Sequence, residues 1–431
     1  MSVELRSLLA SARAGTPGGG VAALCTAHPT VIDVALAHAR SIETPVLIEA
    51  TCNQVNQDGG YTGMRPADFR RLVEDAAART GFDTAAVLLG GDHLGPNPWK
   101  HLPAAAALAK AEEMTAAYVE AGFVKLHLDT SMGCAGEADR LDDELVAERA
   151  SRLVEVAETT RRRSGAREPV YVVGTEVPSP GGAVTNVETL AVTTPASASD
   201  TLEAHRIAFA RRGLDDAFER VVGLVVQPGV EFGDEEVARY DRHRARELTA
   251  VLDTLGSLVF EAHSTDYQTV DSLTDLVVDG FAIVKVGPWL TFALREALYG
   301  LDDIATELHP AERTESLQTT MERVMRTRPV HWQRYYIGSA TERRVKRHFS
   351  YSDRIRYYWA DPDAARAVAQ LLELLGETAI PVTLVSQYLN GLFADVALGR
   401  VEATARALLR ASVRAVLDIY AAATRTPALR T

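Results

Sequence analysis

Short apolar runs recur along the chain, and each turns polar and glycine-rich at its carboxyl end, as in VLLGGDHLGPN, VKLHLDTSMG, VYVVGTEVPSPGG, LVVQPGVEFG, LVFEAHSTDYQ and AIVKVGP. Eight strands are predicted, at about 21–26, 46–51, 85–89, 123–128, 170–175, 221–226, 258–262 and 281–286. They carry Val, Leu and Ile on both faces, as parallel strands covered on both sides do. Helical patterns lie between them: one over 66–80 opens on proline, and one over 102–122 closes on glycine. Eight βα units fit a closed barrel better than an open sheet. An open dinucleotide-binding sheet needs its glycine-rich turn after the first strand, and GTPGGG near Gly15 precedes one instead. The expected fold is a (β/α)8 TIM barrel, whose strand ends converge on the one face that carries chemistry.

From about Pro310 the strand runs stop and the chain becomes helical, with a basic, aromatic middle, HWQRYYIGSATERRVKRHFSYSDRIRYYW, and an Ala- and Leu-rich tail. The expected organisation is a catalytic barrel over 1–309 and a helical extension over 310–431 packed on it. A structural or oligomeric role is the plain reading of such an extension. A phosphate-binding lid is the functional one, because Arg354 and Arg356 lie beside the hydroxyls of Ser350, Tyr351 and Ser352, and guanidinium forks match phosphate oxygens.

Composition narrows the alternatives. With 431 residues and 47% hydrophobic content the chain can bury a large core. Its 45 basic and 58 acidic residues leave a net charge of −13, and no long basic run offers a footprint for nucleic acid. The amino terminus, MSVELRSLLASARAGTPGGG, lacks the apolar core of a signal peptide, and no run approaches a membrane span. A cytoplasmic protein with no membrane partner is expected, as a homo-oligomer. Cys25, Cys52 and Cys134 are too few and too far apart for a zinc knuckle or a disulfide framework.

The strand ends hold the candidate chemistry. Asp92 and His93 follow the third strand, where one can ligate a metal while the other handles protons. Lys125, His127 and Asp129 alternate along the fourth and therefore project to one side, the barrel interior. Glu176 ends the fifth, Gln227 and Glu231 follow the sixth, Glu261, His263 and Asp266 the seventh, and Lys285 lies in the eighth. A lone strand-end histidine is ordinarily a hydrogen-bonded structural residue, and an inward lysine can simply neutralise a buried glutamate. So many buried charges on one rim are costly unless paired or metal-bound. The loop CNQVNQDGGYTG after the second strand adds backbone N–H groups suited to anions. Asn53, Gln54, Ser131, Gln227 and Arg354 are the expected substrate contacts.

Nine strings carry a resemblance: CTAHPTVIDVALAHA, IEATCNQVNQDGGYTGM, GGDHLGPNPW, KLHLDTSMGCAG, GTEVPSPGG, VVQPGVEFG, FEAHSTDYQ, KVGPWLTFALREAL and YSDRIRYYW. Together they resemble the Z-type subunit family associated with class II tagatose-1,6-bisphosphate aldolase, over nearly the whole chain. The resemblance implies either a non-catalytic subunit supporting a separate class II aldolase chain or a ketose or ketose-phosphate 4-epimerase. A tagatose-6-phosphate kinase label has also been attached to members, but this chain has no GxxxxGK[ST] loop. The catalytic class II aldolases are similar at fewer positions. Their Asp-His pair, with Asp as proton donor and His as metal ligand, resembles Asp92-His93; their later histidine resembles His263, and their Glu before a Gly-Gly turn resembles Glu176. Their histidine on the sixth strand is missing, and Gln227 or Glu231 occupies that neighbourhood. The implied ligand set is His93, His263, Glu176 and Glu231, suited to Zn, Mn, Ni or Co.

In a 2-ketose the C4 hydrogen is not adjacent to the carbonyl, so removing it gives no stabilised enolate. Inversion at C4 requires transient oxidation, for which no dinucleotide site is evident, or cleavage and re-formation of the C3–C4 bond. The second route needs a Lewis acid at O2 and a base at O4. The expected activity is metal-dependent 4-epimerisation of a tagatose- or fructose-type ketose or ketose phosphate, with Asp92, Asp129, Glu176, Lys125 and Lys285 as catalytic groups. The alternative is the non-catalytic aldolase subunit.

Overall fold

Strands that are apolar on both faces are stable only between two covering layers, and parallel neighbours need a long, usually helical, crossover. Closing the strands on themselves meets both conditions. The computed structural model describes residues 5–13, 19–174, 190–312 and 315–424. Its strands are β1 (Val21–Cys25), β2 (Val46–Thr51), β3 (Val87–Leu94), β4 (Lys125–Leu128), β5 (Val170–Gly174), β6 (Val221–Val225), β7 (Glu231–Phe232), β8 (Val237–Ala238), β9 (Val259–Ala262) and β10 (Ile283–Val286). Eight of them close a parallel barrel in the order β1-β10-β9-β6-β5-β4-β3-β2, while β7 and β8 make a small separate sheet that the apolar pattern does not announce. The fold is the (β/α)8 barrel. Helix Pro66–Thr80 has the expected bounds: Pro66 fits its first turn, and Gly81 at φ 67° closes it in the left-handed region.

The amino-terminal layer of the barrel interior is apolar. Leu47, Leu88, Val124, Val172, Val222, Val259 and Ile283 meet there with Leu5 and Leu9 of helix Leu5–Arg13. Spacing of four residues puts both leucines on one helix face, so the helix plugs the barrel floor, each leucine contributing about 1.5–3 kcal/mol. Above this layer the interior becomes charged, with Glu49, Lys125 and Glu261 all 0% exposed. Register places Glu49 beside Gly90, and a Cβ on Gly90 would lie 2.6 Å from Glu49 Oε1. The side chain Gly90 lacks is the space Glu49 fills.

β3 departs from the expected strand by continuing to Leu94 through a bulge. Gly91 pairs with Leu126 and Leu94 with Leu128, so Asp92 and His93 together oppose His127. His93 takes φ 48° to make this possible. Adjacent residues on a regular strand face opposite ways; the bulge turns both side chains toward the interior.

By internal contacts the chain divides into two units. The first comprises the described residues up to Glu231, Val237–Val286 and the described residues from Tyr420 onward; the second comprises Phe232–Glu236 and Gly287–Ile419. The second unit begins with helix Pro288–Leu308, so the boundary read from the sequence, 309/310, falls at the end of that helix. Helices Leu317–Thr327, Ala340–Phe349 and Pro362–Leu375 follow. Polar groups tie this unit internally: Asp234 accepts from the hydroxyls of Ser350 and Ser352 at 3.0 and 3.2 Å, and Tyr299 meets His348 at 2.7 Å. Asp353, at φ 45°, accepts from the Thr291 hydroxyl at 2.6 Å. Burial pushes the Asp353 carboxyl up to about 7.

Gly90→Ala is expected to cost about 1–3 kcal/mol by overpacking, read as a lower urea midpoint, whereas Gly391→Ala, with nothing within 4 Å of its added Cβ, leaves the midpoint unchanged. A carboxyl whose folded pKa lies above its unfolded value stabilises the fold fully below the unfolded pKa, near 4, and loses that stability as pH rises toward the folded value. For Asp353 the window runs up to about 7, with a loss of up to about 4 kcal/mol. Urea midpoints followed from pH 4 to 8 should show a shallower decline in Asp353→Asn, since Asn also tolerates the left-handed backbone.

Candidate active site

Strands β2, β3, β4, β9 and β10 deliver a buried charge network. Lys125 Nζ lies 2.7 Å from Glu49 Oε1 and 2.7 Å from Glu261 Oε2. Lys285 Nζ lies 2.8 Å from Glu49 Oε2, 3.5 Å from Glu261 Oε1 and in direct contact with Asp92. Burial alone would depress both lysines. Glu261 and Glu49 outweigh it at Lys125, and Asp92 is the largest of the negative neighbours that hold Lys285 well above the usual ammonium range. Burial would likewise raise Glu261, but Lys125 and Lys285 keep it well below the ordinary carboxylate range. Cys25 reaches Glu49 at 3.5 Å and Asp92 at 3.6 Å; burial, the largest influence, raises its thiol well above the usual range.

Three histidines stand beside this network in a near-equilateral triangle, with ring centroids 4.8 Å apart for His93–His127, 4.9 Å for His93–His263 and 5.0 Å for His127–His263. Each spends one nitrogen on an outer acceptor. His93 Nδ1 meets Asp129 Oδ2 at 3.0 Å, His127 Nε2 meets the Gly174 carbonyl at 3.2 Å, and His263 Nε2 meets Glu261 Oε1 at 2.9 Å. Carboxylates and carbonyls only accept, so these nitrogens carry the hydrogens. The lone pairs therefore fall on His93 Nε2 and His263 Nδ1, the pattern by which outer acceptors orient metal-binding imidazoles, while His127 Nδ1 lies between the Asp92 carboxylate at 3.0 Å and the His93 backbone N–H at 3.2 Å. Burial, followed by Lys285, holds His263 well below the ordinary imidazole range, in the neutral form a ligand requires.

Ligand-capable atoms of Asp92, His93, His127 and His263 all lie within 4.8 Å of one another. Four carboxylates, Glu49, Asp92, Asp129 and Glu261, share this buried region with two ammonium groups, Lys125 and Lys285, an excess of two negative charges when all six are ionised. Both the donors and the charge suit a divalent cation. Asp92 Oδ1 lies 3.0 Å from His127 Nδ1. Burial would raise the Asp92 carboxyl, but His93, Lys285 and His127 hold it well below the usual range. It is thereby held as a carboxylate beside the candidate cation ligands.

The other sequence candidates fall in several places. Asp129 accepts from the Ser131 hydroxyl at 2.6 Å as well as meeting His93, so its oxygens orient neighbours. Gln227 accepts from the Gly229 and Val230 amides at 2.8 and 3.0 Å, which fixes its Nε2, buried and without a hydrogen-bond partner among the described residues. Ser131 and Gln227 line a cavity of about 450 Å³ at the ends of β4, β5 and β6. Gln54 spends its side-chain oxygen on the Thr51 amide at 2.8 Å, and Asn53 is exposed. Glu231 is buried on β7 and is not in the ligand clusters formed by the described residues. Arg354 belongs to the second unit, and Glu176 lies outside the described residues. Two residues were missed: His127 was placed inward but given no ligand role, and Glu49, hidden in the apolar run VLIEAT, was not singled out. Its signal was a lone glutamate in a strand covered on both faces.

The family model for D-tagatose-1,6-bisphosphate aldolase subunit GatZ/KbaZ-like proteins matches residues 5–425. The chain belongs to the GatZ/KbaZ-like family. Among curated relatives of this GatZ/KbaZ-like chain, a D-tagatose 6-phosphate 4-epimerase of Agrobacterium fabrum is 51% identical over 424 residues, 98% of this chain and 99% of that protein. A solved structure from Sinorhizobium meliloti 1021, described as a probable tagatose 6 phosphate kinase, is 57% identical with a TM-score of 0.88, covering 94% of this chain and 100% of that one. No helix among the described residues is long and apolar enough to cross a membrane.

The triangle makes a sharp expectation. His93→Ala, His127→Ala and His263→Ala should each lower bound metal at least about tenfold, measured by elemental analysis after dialysis, while Glu231→Gln retains it.

Proposed function

We propose that this chain is a metal-dependent ketose-phosphate 4-epimerase that interconverts D-tagatose 6-phosphate and D-fructose 6-phosphate by breaking and remaking the C3–C4 bond. The observation that carries the reading is the Asp92 carboxylate gathered with three buried histidines, their ligand-capable atoms all within 4.8 Å of one another. Full-length similarity to an epimerase of that name supports the substrate and disfavours a purely supporting role in an aldolase complex.

His93, His127 and His263 are the residues that would hold the cation, with Zn, Mn, Ni and Co suited to such a nitrogen-rich set. When bound there, a divalent cation supplies Lewis acidity to the ketose oxygens. Asp92 accepts the O4 proton as the C3–C4 electrons withdraw into the three-carbon fragment, an enediolate of dihydroxyacetone. The other fragment, glyceraldehyde 3-phosphate, presents its opposite aldehyde face. As the bond re-forms, Asp92 returns the proton to O4 and C4 is inverted. Lys285, in contact with Asp92, keeps that carboxylate ionised and opposes the negative charge that gathers during cleavage. Lys125, enclosed by Glu49 and Glu261, and Asp129, engaged with His93 and Ser131, act as positioning residues. Gln227 offers a fixed donor to a substrate oxygen.

Asp92→Asn should retain bound metal and lower kcat by about 10²–10⁴-fold, because it removes the proton carrier and leaves the histidines. Running the wild-type reaction with isotopically labelled dihydroxyacetone should place label in the recovered ketose phosphate. Full turnover in Asp92→Asn, with a primary deuterium isotope effect at C4 and no exchange of label, would overturn the bond-cleavage route.

A further inference from the structure

One histidine on the carboxyl rim of the barrel stands outside the constellation of Asp92 and the three imidazoles. His28 lies in the string CTAHPTVIDVALAHA, just beyond β1. Leu24 is in register with Val286 and Cys25 with Glu49, and the Thr26 amide donates to the Glu49 carbonyl at 3.1 Å. Cys25 Sγ lies 3.6 Å from Asp92 Oδ2. Three residues later the chain has turned off the strand: the His28 backbone N–H donates to Thr26 Oγ1 at 3.2 Å, and its carbonyl accepts from the Ile32 amide at 3.0 Å. Successive Cα atoms are about 3.8 Å apart, so the His28 Cα stands within about 11 Å of that of Cys25, on the face where barrels of this kind carry their chemistry.

The ring does neither job that a structural histidine would do at this point. His28 is the N-cap of helix Pro29–Ser41, yet its side chain makes no capping hydrogen bond. Nor is it satisfied elsewhere, since Nδ1 is buried without a hydrogen-bond partner among the described residues and Nε2 has none there either. Buried polar atoms are ordinarily paired, and an orphaned buried N–H is rarer than an unused acceptor. The hydrogen therefore belongs on Nε2. Burial, with no charged neighbour among the described residues contributing, pushes the imidazole down to about 4. The ring is thus neutral near pH 7 and presents one N–H.

We propose that His28 is a substrate-binding residue whose Nε2–H donates to a hydroxyl of the ketose phosphate outside the reacting C2–C4 segment. This inference rests on the epimerase reading given above. A phosphate dianion set against a neutral imidazole would draw a proton onto the ring, whereas a hydroxyl oxygen accepts the N–H as it stands. With Asp92 assigned to O4 and the cation to the ketose oxygens, the hydroxyls left to His28 are those on C1 and C5. Holding one end of the sugar by a group that moves no proton orients the C3–C4 bond for cleavage.

The test reads affinity, so it does not depend on turnover. The full-length, metal-loaded Asp92→Asn protein is titrated by calorimetry with tagatose 6-phosphate and with its 1-deoxy and 5-deoxy analogues, first with His28 intact and then with His28→Ala or His28→Gln added. His28→Ala is expected to weaken tagatose 6-phosphate at least about tenfold while bound metal is unchanged. One of the two analogues lacks the acceptor, so it should bind equally well with and without His28, and it thereby names the hydroxyl. His28→Gln keeps an N–H donor and should recover part of the loss for the parent sugar. Weakening by one common factor for the parent and both analogues would mark a packing role and overturn the assignment. Unchanged affinity in a folded His28→Ala overturns it too and leaves the epimerase reading standing. No saturable sugar binding with His28 intact overturns both.

Discussion

Two ammonium groups and four carboxylates buried near three imidazoles form the constraint on which the site depends. An isolated charge transferred to such an interior costs far more than the whole stability of a domain, so every member must be paired and oriented by another. Lys125 bridges Glu49 and Glu261, while Lys285 reaches both of them and Asp92. Glu261 in turn fixes the tautomer of His263, and Asp129 fixes that of His93. The network is therefore continuous from Glu49 on β2 and Lys125 on β4 to Asp92 on β3. The apolar layer sealed by Leu5 and Leu9 beneath it is the complementary requirement, keeping polar groups to one end of the barrel.

Strand number, closure and the inward alternation of Lys125, His127 and Asp129 were legible in the sequence, because period-two patterning and doubly covered strands leave few other solutions. Asp92 and His93 were legible as a pair, but not as neighbours facing one way. That depends on the β3 bulge, a shift of register between strands that no local composition encodes. His127 as a candidate ligand is legible only once that shift brings His93 opposite it. Glu49 was hidden for a different reason: its counter-ions come from residues 76 and 236 positions further along the chain, Lys125 and Lys285. The pattern marks where a charge is buried and is silent on what neutralises it.

The extension was read as helical, and helices dominate the second unit. The start of that unit at Gly287 rather than after 309 has a local cause. Helix Pro288–Leu308 follows β10 directly, with proline in its first turn, and a strand followed at once by a helix reads as one more βα repeat. Nothing in its residues declares which set of neighbours it will join. The return of Phe232–Glu236 to that unit is equally nonlocal, since it rests on Asp234 meeting Ser350 and Ser352 across more than 100 residues.

The bulge in β3 couples the two roles proposed for Asp92 and His93. Because Asp92 and His93 are consecutive, the proposed proton carrier and the proposed cation ligand ride on a single stretch of backbone whose left-handed turn at φ 48° leaves little latitude. A change that shifts one displaces the other by a similar amount. The spacing between the two side chains is thereby inherited as a fixed dimension of the strand.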